Sequence, residues 1–451
     1  MVRSLTNIFK VPDLKKKVLI TLSLLVVYRI GSFVPTPGID TAALSRYFEE
    51  LTRAHGQTFL GMINLFTGGA LRRLSIFALG IMPYISASII MQLLTAVVPA
   101  FEKMAREGRA GYEKINQYTR YATLFLCLFQ GFMLAKWLEN PASFGGAIIV
   151  PNPGLAFELI TVFTLACGTI SIMWLGEQIQ ERGIGNGISL IIATSIISRI
   201  PSSLYYLWVL YSPLDPSKRQ ISTVVLIVLF AMWFAVVAAV VFFTQAQRRI
   251  PVQYARRVVG RRVYGGQSTF LPIKVDMAGV IAIIFAQSVL LFPTTIANFF
   301  PKTSPFVGFL QVVFKSGGLW YTIIYVGLII FFMYFYTAIV FNPIEVSNNL
   351  KKYGGFVPGR RPGKNTAEYI DFVATRIVFV GALYVAVVAI MPSMVIRLFN
   401  IPSYRIASFF GGTTILIMVG VVLDTMRQIE GQLLIRHYDG FVKGKTLRAR
   451  R

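Results

Sequence analysis

An all-α polytopic membrane protein is the fold class this sequence predicts, with ten transmembrane helices and one short apolar segment that does not complete a span. Three observations predict it. Of 451 residues, 55% are hydrophobic and 14% charged, and the mean hydropathy is +0.64; a soluble domain carries about a quarter of its residues charged. The apolar residues come in runs close to the roughly 20 that a helix needs to cross a ~30 Å hydrocarbon core. The basic residues, finally, alternate from one loop between runs to the next.

The runs fall at 18–34, 75–98, 117–137, 155–175, 184–205, 221–244, 275–293, 319–341, 376–396 and 406–425. Each is apolar around its whole circumference, unlike a surface helix with one polar face. The ten-residue alternation of a membrane β-barrel is absent. With an even number of spans both termini lie on one side. The tails and alternate loops on that side (1–17, 99–116, 176–183, 245–274, 342–376, 426–451) hold 30 of the 44 Lys and Arg, and the opposite loops hold 10. Positive charge marks the cytoplasmic face, so both termini are expected in the cytoplasm. The remaining four are Arg29, Arg72, Arg73 and Arg120. The polar, basic start (MVRSLTNIFKVPDLKKK) and the absence of an A-x-A site after the first run predict no cleaved leader.

Residues 59–71 (FLGMINLFTGGAL) are too short to span and contain three glycines. They read either as a half-helix at membrane depth, which requires a cavity between the spans, or as an amphipathic helix on the outer surface.

The net charge of +25 could signal nucleic-acid binding, but it follows the loop alternation rather than forming one patch. The scattered 37 Gly and 21 Pro and the 14% aromatics exclude a collagen-like or disordered chain. Cys127 and Cys167 read as buried inert thiols, and His55 and His437 as solvated loop residues, so no metal site is expected. GIGNG at 183–187 lacks the preceding strand and the Walker lysine of a phosphate loop. An ion-coupled carrier keeps ionisable groups at mid-membrane; here Asp276, Glu177 and Asp424 sit at or near span ends. No catalytic constellation is present, and no cofactor is expected. An ion- or substrate-coupled secondary transporter is the alternative functional class.

Small and amide side chains do lie within the spans: Ser86, Ser88, Gln92, Gln130, Gln287 and Ser288. They serve either ordinary helix–helix hydrogen bonding or a seam that must come apart. On the basic side, loop 245–274 carries Arg248, Arg249, Arg256, Arg257, Arg261 and Arg262, and loop 342–376 carries Lys351, Lys352, Arg360, Arg361 and Lys364. Arginine forks interleaved with tyrosine suit carboxylate or phosphate recognition, so these loops read as docking arms for something acidic, with orientation and anionic-lipid contact accounting for part of the charge.

Five stretches in order, FTGGALRRLSIFALGIMPYISASIIMQLL (66–94), GIGNGISLII (183–192), YARRVVGRRVYGGQSTFLPIKVDMAGVI (254–281), NPIEVSNNLKKYGGFVPGRRPG (342–363) and FGGTTILI (410–417), resemble the SecY family of bacterial protein-conducting channels over essentially the whole chain. That resemblance implies two pseudo-symmetric halves, 1–205 with spans one to five and 206–425 with spans six to ten, followed by a basic tail at 426–451. It implies a re-entrant plug half-helix at 59–72, including Met62, Asn64, Phe66, Thr67, Gly68 and Gly69. It implies a pore ring of Ile81, Ile85, Ile188, Ile192, Ile284 and Ile417, the seventh span departing from the family pattern with Ala282 in place of a proline. The polar side chains named above fall in part along the family's lateral gate. Implied partners are SecE-like and SecG-like small membrane subunits, a SecA-type motor ATPase and the ribosome at the two basic loops, signal sequences and unfolded preproteins. The implied activity is passive conduction of unfolded polypeptide across, or sideways into, the bacterial inner membrane.

Overall fold

The computed structural model describes residues 11–55, 64, 67–144, 146–212, 222–254, 257–259, 262–264, 268–297, 305–314, 318–398 and 411–443. A helix occupies each of the ten predicted runs. Among the described residues, seven helical stretches are long and apolar enough to cross a bilayer, or eight when one bent pair is taken as a single span.

Helix α1 (Pro12–Gly31) opens with proline, whose missing N–H is harmless in a first turn, and stops at Gly31, where the Ser32 N–H bonds back to Tyr28 O. Helix α2 (Thr41–His55) is capped by Asp40 Oδ1, which accepts from Ala42 N at 2.9 Å and Ala43 N at 3.0 Å. It buries Leu44 and Phe48 in a satellite cluster with Leu71, Leu74 and Phe144.

The second span differs from the expected 75–98. Its helix, α3 (Met82–Val97), begins seven residues late because Pro83 fixes the first turn and a proline cannot continue a helix from upstream. Residues 67–81 are turns and a single 3-10 turn, Leu71–Arg73. They pack against helix α6 so closely that a Cβ on Gly168 would lie 1.8 Å from Ile76 O. Beyond Val97 the chain bends by 95° into α4 (Pro99–Arg106), as expected where the residue before a proline must be extended.

Helices α5 (Arg109–Glu139) and α6 (Leu155–Arg182) follow. The fifth span is broken into α7 (Gly187–Ile197), capped by Asn186, and α8 (Ile200–Tyr211), restarted at Pro201. Helix α9 (Thr223–Gln245) leads into the first basic loop. That loop is not irregular: it forms β1 (Gln247–Tyr254), β2 (Arg257–Val259), β3 (Arg262–Tyr264) and β4 (Ser268–Lys274). Then come α10 (Val280–Ala297), α11 (Pro305–Val313), α12 (Leu319–Val340), α13 (Pro343–Lys352), β5 (Gly355–Phe356), α14 (Lys364–Leu398) and α15 (Gly412–Lys443). His55 and His437 lie in helices α2 and α15 rather than in loops. Cys127 is buried, but Cys167 is exposed, because it faces outward from α6 into what would be lipid.

The helices gather in two groups. In the first, α6 touches α1, α3, α5 and α7; in the second, α12 and α15 touch α10, α14 and α9 between them. The groups meet where α3 lies against α10 and where α15 lies against α7. One large apolar cluster runs through both groups and both seams.

Candidate functional site

The six isoleucines expected to form the ring come from four helices, two in each group, and all four helices contribute to the one large apolar cluster. Ile81 is the N-cap residue of α3 and Ile85 lies one turn on. Ile192 sits on α7, Ile284 on α10 and Ile417 on α15. These five are buried members of the central cluster, and Ile188 packs against it partly exposed. Among the described residues, Glu158 is the least exposed charged side chain, and Asp276, just before α10, is also largely withdrawn from solvent. Glu158 pairs with Lys136 in the last turn of α5. A waist of β-branched side chains offers no hydrogen bonds, so water and ions find no partners there.

On the side of the basic loops, a cavity of about 360 Å³ opens next to the waist between the two helix groups. Asn186, Ser189, Asp276, Tyr336, Asp424 and Gln428 line it, with Ile281 and Ile283 at its apolar end. On the opposite side lies the segment read as a plug. Met62 and Phe66 fall outside the described residues. Asn64 and Thr67 are buried, and from 67 to 73 the chain is turn and 3-10 rather than α-helix. Asn64 organises the turn: its Oδ1 accepts from Arg72 N at 3.1 Å and its carbonyl from Gly69 N at 3.0 Å. Gly68, at φ +65°, must be glycine, because a Cβ would lie 3.2 Å from both Arg29 Nη1 and the Ser195 backbone. Its carbonyl accepts from Arg29 Nη1 at 3.0 Å. The seat beneath it is made by Tyr28, whose hydroxyl bonds Ser195 Oγ at 2.6 Å and whose ring stacks on Phe77 at 5.7 Å.

The polar side chains divide along the front seam. Ser86, Ser88 and Gln92 on α3 and Gln130 on α5 are partly exposed, and Gln92 Nε2 donates to Ser88 Oγ at 3.1 Å within its own helix. Gln287 and Ser288 on α10 are buried, yet Gln287 Oε1 and Ser288 Oγ have no protein partner. Among the described residues no hydrogen bond joins α3 to α10. A buried polar group without a partner costs about 1–3 kcal/mol, so Gln287 and Ser288 weaken the packing around α10. The rear seam is different. Gly185 N donates to Gln428 Oε1 at 2.9 Å, Lys17 Nζ donates to Gln432 Oε1 at 3.4 Å, and Leu14, Ile184 and Ile429 close a small apolar cluster.

The two basic arms share one scaffold. β1 pairs antiparallel with β4 and, on its other edge, with β5 of the second arm through Gln253–Phe356 and Tyr254–Gly355. Ile250, Val252 and Ile273 pack on Val357, Ile370 and Ala374 beneath the sheet. Arg248, Arg249, Lys351, Lys352, Arg360 and Arg361 are exposed, and Arg360 lies over the Tyr369 ring at 4.9 Å. Arg257 and Arg262 belong to the small β2–β3 ribbon; Arg256 and Arg261 lie outside the described residues.

Sequence reasoning missed three features: the Tyr28–Ser195 bond, the Gln428 clasp and the joint sheet. Only the last had a readable signal, the alternation of Ile250, Val252 and Tyr254, which the charge-rich surroundings masked.

The SecY family model matches residues 75–426. The protein translocase subunit SecY of Escherichia coli (strain K12) is 46% identical over 439 residues, covering 97% of this chain and 95% of the relative. A solved structure described as a protein-conducting channel superposes with a TM-score of 0.67 at 17% identity, covering 96% of this chain and 95% of that one. Sec61 in the canine ribosome–channel complex from the endoplasmic reticulum superposes with a TM-score of 0.61 at 16% identity, covering the same shares.

Proposed function

The chain belongs to the SecY family, and on that premise we propose that its isoleucine waist is the seal of a passive conduit for unfolded polypeptide. It is a multi-pass membrane protein and a protein-conducting translocation channel, not an enzyme. The observation that supports the finer reading is that Ile81, Ile85, Ile188, Ile192, Ile284 and Ile417, from two helices of each group, all belong to or pack against the one large apolar cluster that runs through both groups. Such a waist can yield around a passing chain because it makes no hydrogen bonds that must be broken.

The cavity beside the waist receives the chain from the side of the basic loops. The turn at Asn64, Thr67, Gly68 and Gly69, with Met62 and Phe66, closes the other side as a plug. The front seam between α3 and α10 opens sideways, so that a segment of roughly 20 apolar residues partitions into lipid. Energy comes from a partner docked on the joint sheet: a SecA-type motor at the arm bearing Arg361, or the ribosome, as in the canine complex. SecE-like and SecG-like subunits and anionic lipids complete the assembly. The basic arms and both termini face the cytoplasm of a bacterial inner membrane. A secondary transporter finds no support in the charge-free waist.

The test is crosslinking from a stalled, half-exported substrate to single cysteines at Ile85, Ile192, Ile284 and Ile417. All four are expected to label, and only while the substrate is engaged. Labelling of lipid-facing controls such as Val26 or Phe234 in their place would contradict the assignment.

A further inference from the structure

Four arginines belong neither to the cytoplasmic loops nor to the opposite ones, and the structure separates them into two kinds. Arg72 bonds Ser45 Oγ at 2.9 Å and pairs with Glu49. Arg120 pairs with Glu177 at 2.9 Å. Arg29 and Arg73 have no carboxylate: among the described residues neither forms an ion pair. Both instead converge on one aromatic ring, with the guanidinium of Arg29 4.8 Å and that of Arg73 4.3 Å from the centroid of Phe33.

The backbone holds them there. Residues 34–36 run antiparallel to 74–76, with Thr36 N donating to Leu74 O at 2.8 Å and Ile76 N donating to Val34 O at 2.9 Å. This pairing sets Arg73 beside Phe33. Leu74, next in the chain, is the one non-glycine residue with positive φ (37°) among the described residues, a conformation that costs about 1 kcal/mol or more for a branched side chain. Two cations share the Phe33 ring at the end of α1 remote from the basic loops, and among the described residues no carboxylate pairs with either.

Below that pair runs an apolar track. Leu19, Leu22, Val26 and Ile30 are each more than half exposed, and their spacing of three and four residues places them on one face of α1, leading up to Phe33. We infer that Arg29 and Arg73 together hold the phosphate of an anionic phospholipid whose acyl chain lies along this track. Guanidinium forks suit a phosphodiester because several N–H groups can be aimed at several oxygens. An anionic headgroup fits better than a zwitterionic one, because the pair has no acid to receive a choline or ethanolamine ammonium. Arg29 also donates to Gly68 O, so the bound headgroup touches the same side chain that seats the plug turn. The site lies at the opposite end of the first span from the basic arms and is independent of their proposed lipid contacts.

The test uses the full chain in nanodiscs doped with a photoreactive phosphatidylglycerol or its phosphatidylcholine analogue, with labelled peptides mapped after illumination. Labelling of residues 26–34 is expected with the glycerol probe at about ten times the yield of the choline probe. It should fall to the choline level in Arg73→Gln, survive in Arg73→Lys, and resist millimolar inorganic phosphate. Arg73 is exposed and, among the described residues, its side chain makes no hydrogen bond or ion pair, so Arg73→Gln keeps the fold, which an unchanged melting curve checks. Equal labelling by both headgroups would show ordinary annular lipid or a covering partner helix, and would overturn the proposal. Displacement by inorganic phosphate would overturn it in favour of a free-anion site, and unchanged labelling in Arg73→Gln would remove the arginine pair from it.

Discussion

Tyr28 and Gly68 show how single residues hold the turn proposed as the plug. Tyr28 is buried within α1, bonded to Ser195 and stacked on Phe77, and so ties the first span, the fifth span and the segment after the plug turn together. Tyr28→Phe keeps the stacking and removes one buried hydrogen bond, a loss of about 1 kcal/mol. A small drop in melting temperature and a detectable rise in resting ion leak are expected; an unchanged leak would place the seat elsewhere. Gly68→Ala meets both a left-handed backbone and the Arg29 guanidinium. It should loosen the plug turn more than Tyr28→Phe does, read as faster proteolysis near residue 68. Residue roles were only partly legible from composition. An isoleucine in a membrane span is ordinarily core or lipid-facing, so hydropathy alone could not select Ile192 or Ile417; the family-like motifs around them did. Tyr28 gave no signal, because its partner is 167 residues away.

At the scale of elements, the ten apolar runs were readable because a bilayer imposes a minimum length on any helix that crosses it. Their ends were less so. Pro83 delays α3, Pro99 ends the straight part of that span, and Pro201 restarts the fifth after a break. The basic arms were read as loops with docking roles, and the sheet within them was missed because hydropathy registers charge before alternation. In the structure they form one sheet, in which β1 is shared between β4 and β5. Arg361 is exposed on this unit and its side chain makes no ion pair among the described residues, so Arg361→Glu should leave the melting curve within about 0.5 kcal/mol of wild type. Motor-driven export should nevertheless fall by at least tenfold. Unaltered export would take Arg361 off the docking surface. Because the arms share a sheet and a small core, weakening one should weaken docking at the other: Val252→Ala is expected to reduce ribosome binding with every arginine intact.

The whole molecule is two helix groups joined by unequal seams. The front seam, α3 against α10, has no hydrogen bond across it among the described residues, and α10 carries the buried, unpartnered Gln287 and Ser288. The rear seam is clasped by Gln428 on Gly185 and by the Leu14, Ile184 and Ile429 cluster. Motion is therefore expected at the front with the rear as pivot. Gln428→Ala, which removes one acceptor at a cost of about 0.5–1.5 kcal/mol, should lower the temperature at which the halves separate without altering a resting front-seam crosslink. Between the seams lies the waist, and its sealing by apolar side chains is the claim on which conduction depends. The most direct measurement is the single-channel conductance of the full chain in planar bilayers, wild type against Ile192→Asn and Ile417→Asn. A silent wild type and leaking variants that still translocate substrate are predicted. Variants as tight as wild type would contradict the account and place the barrier somewhere other than the isoleucine waist.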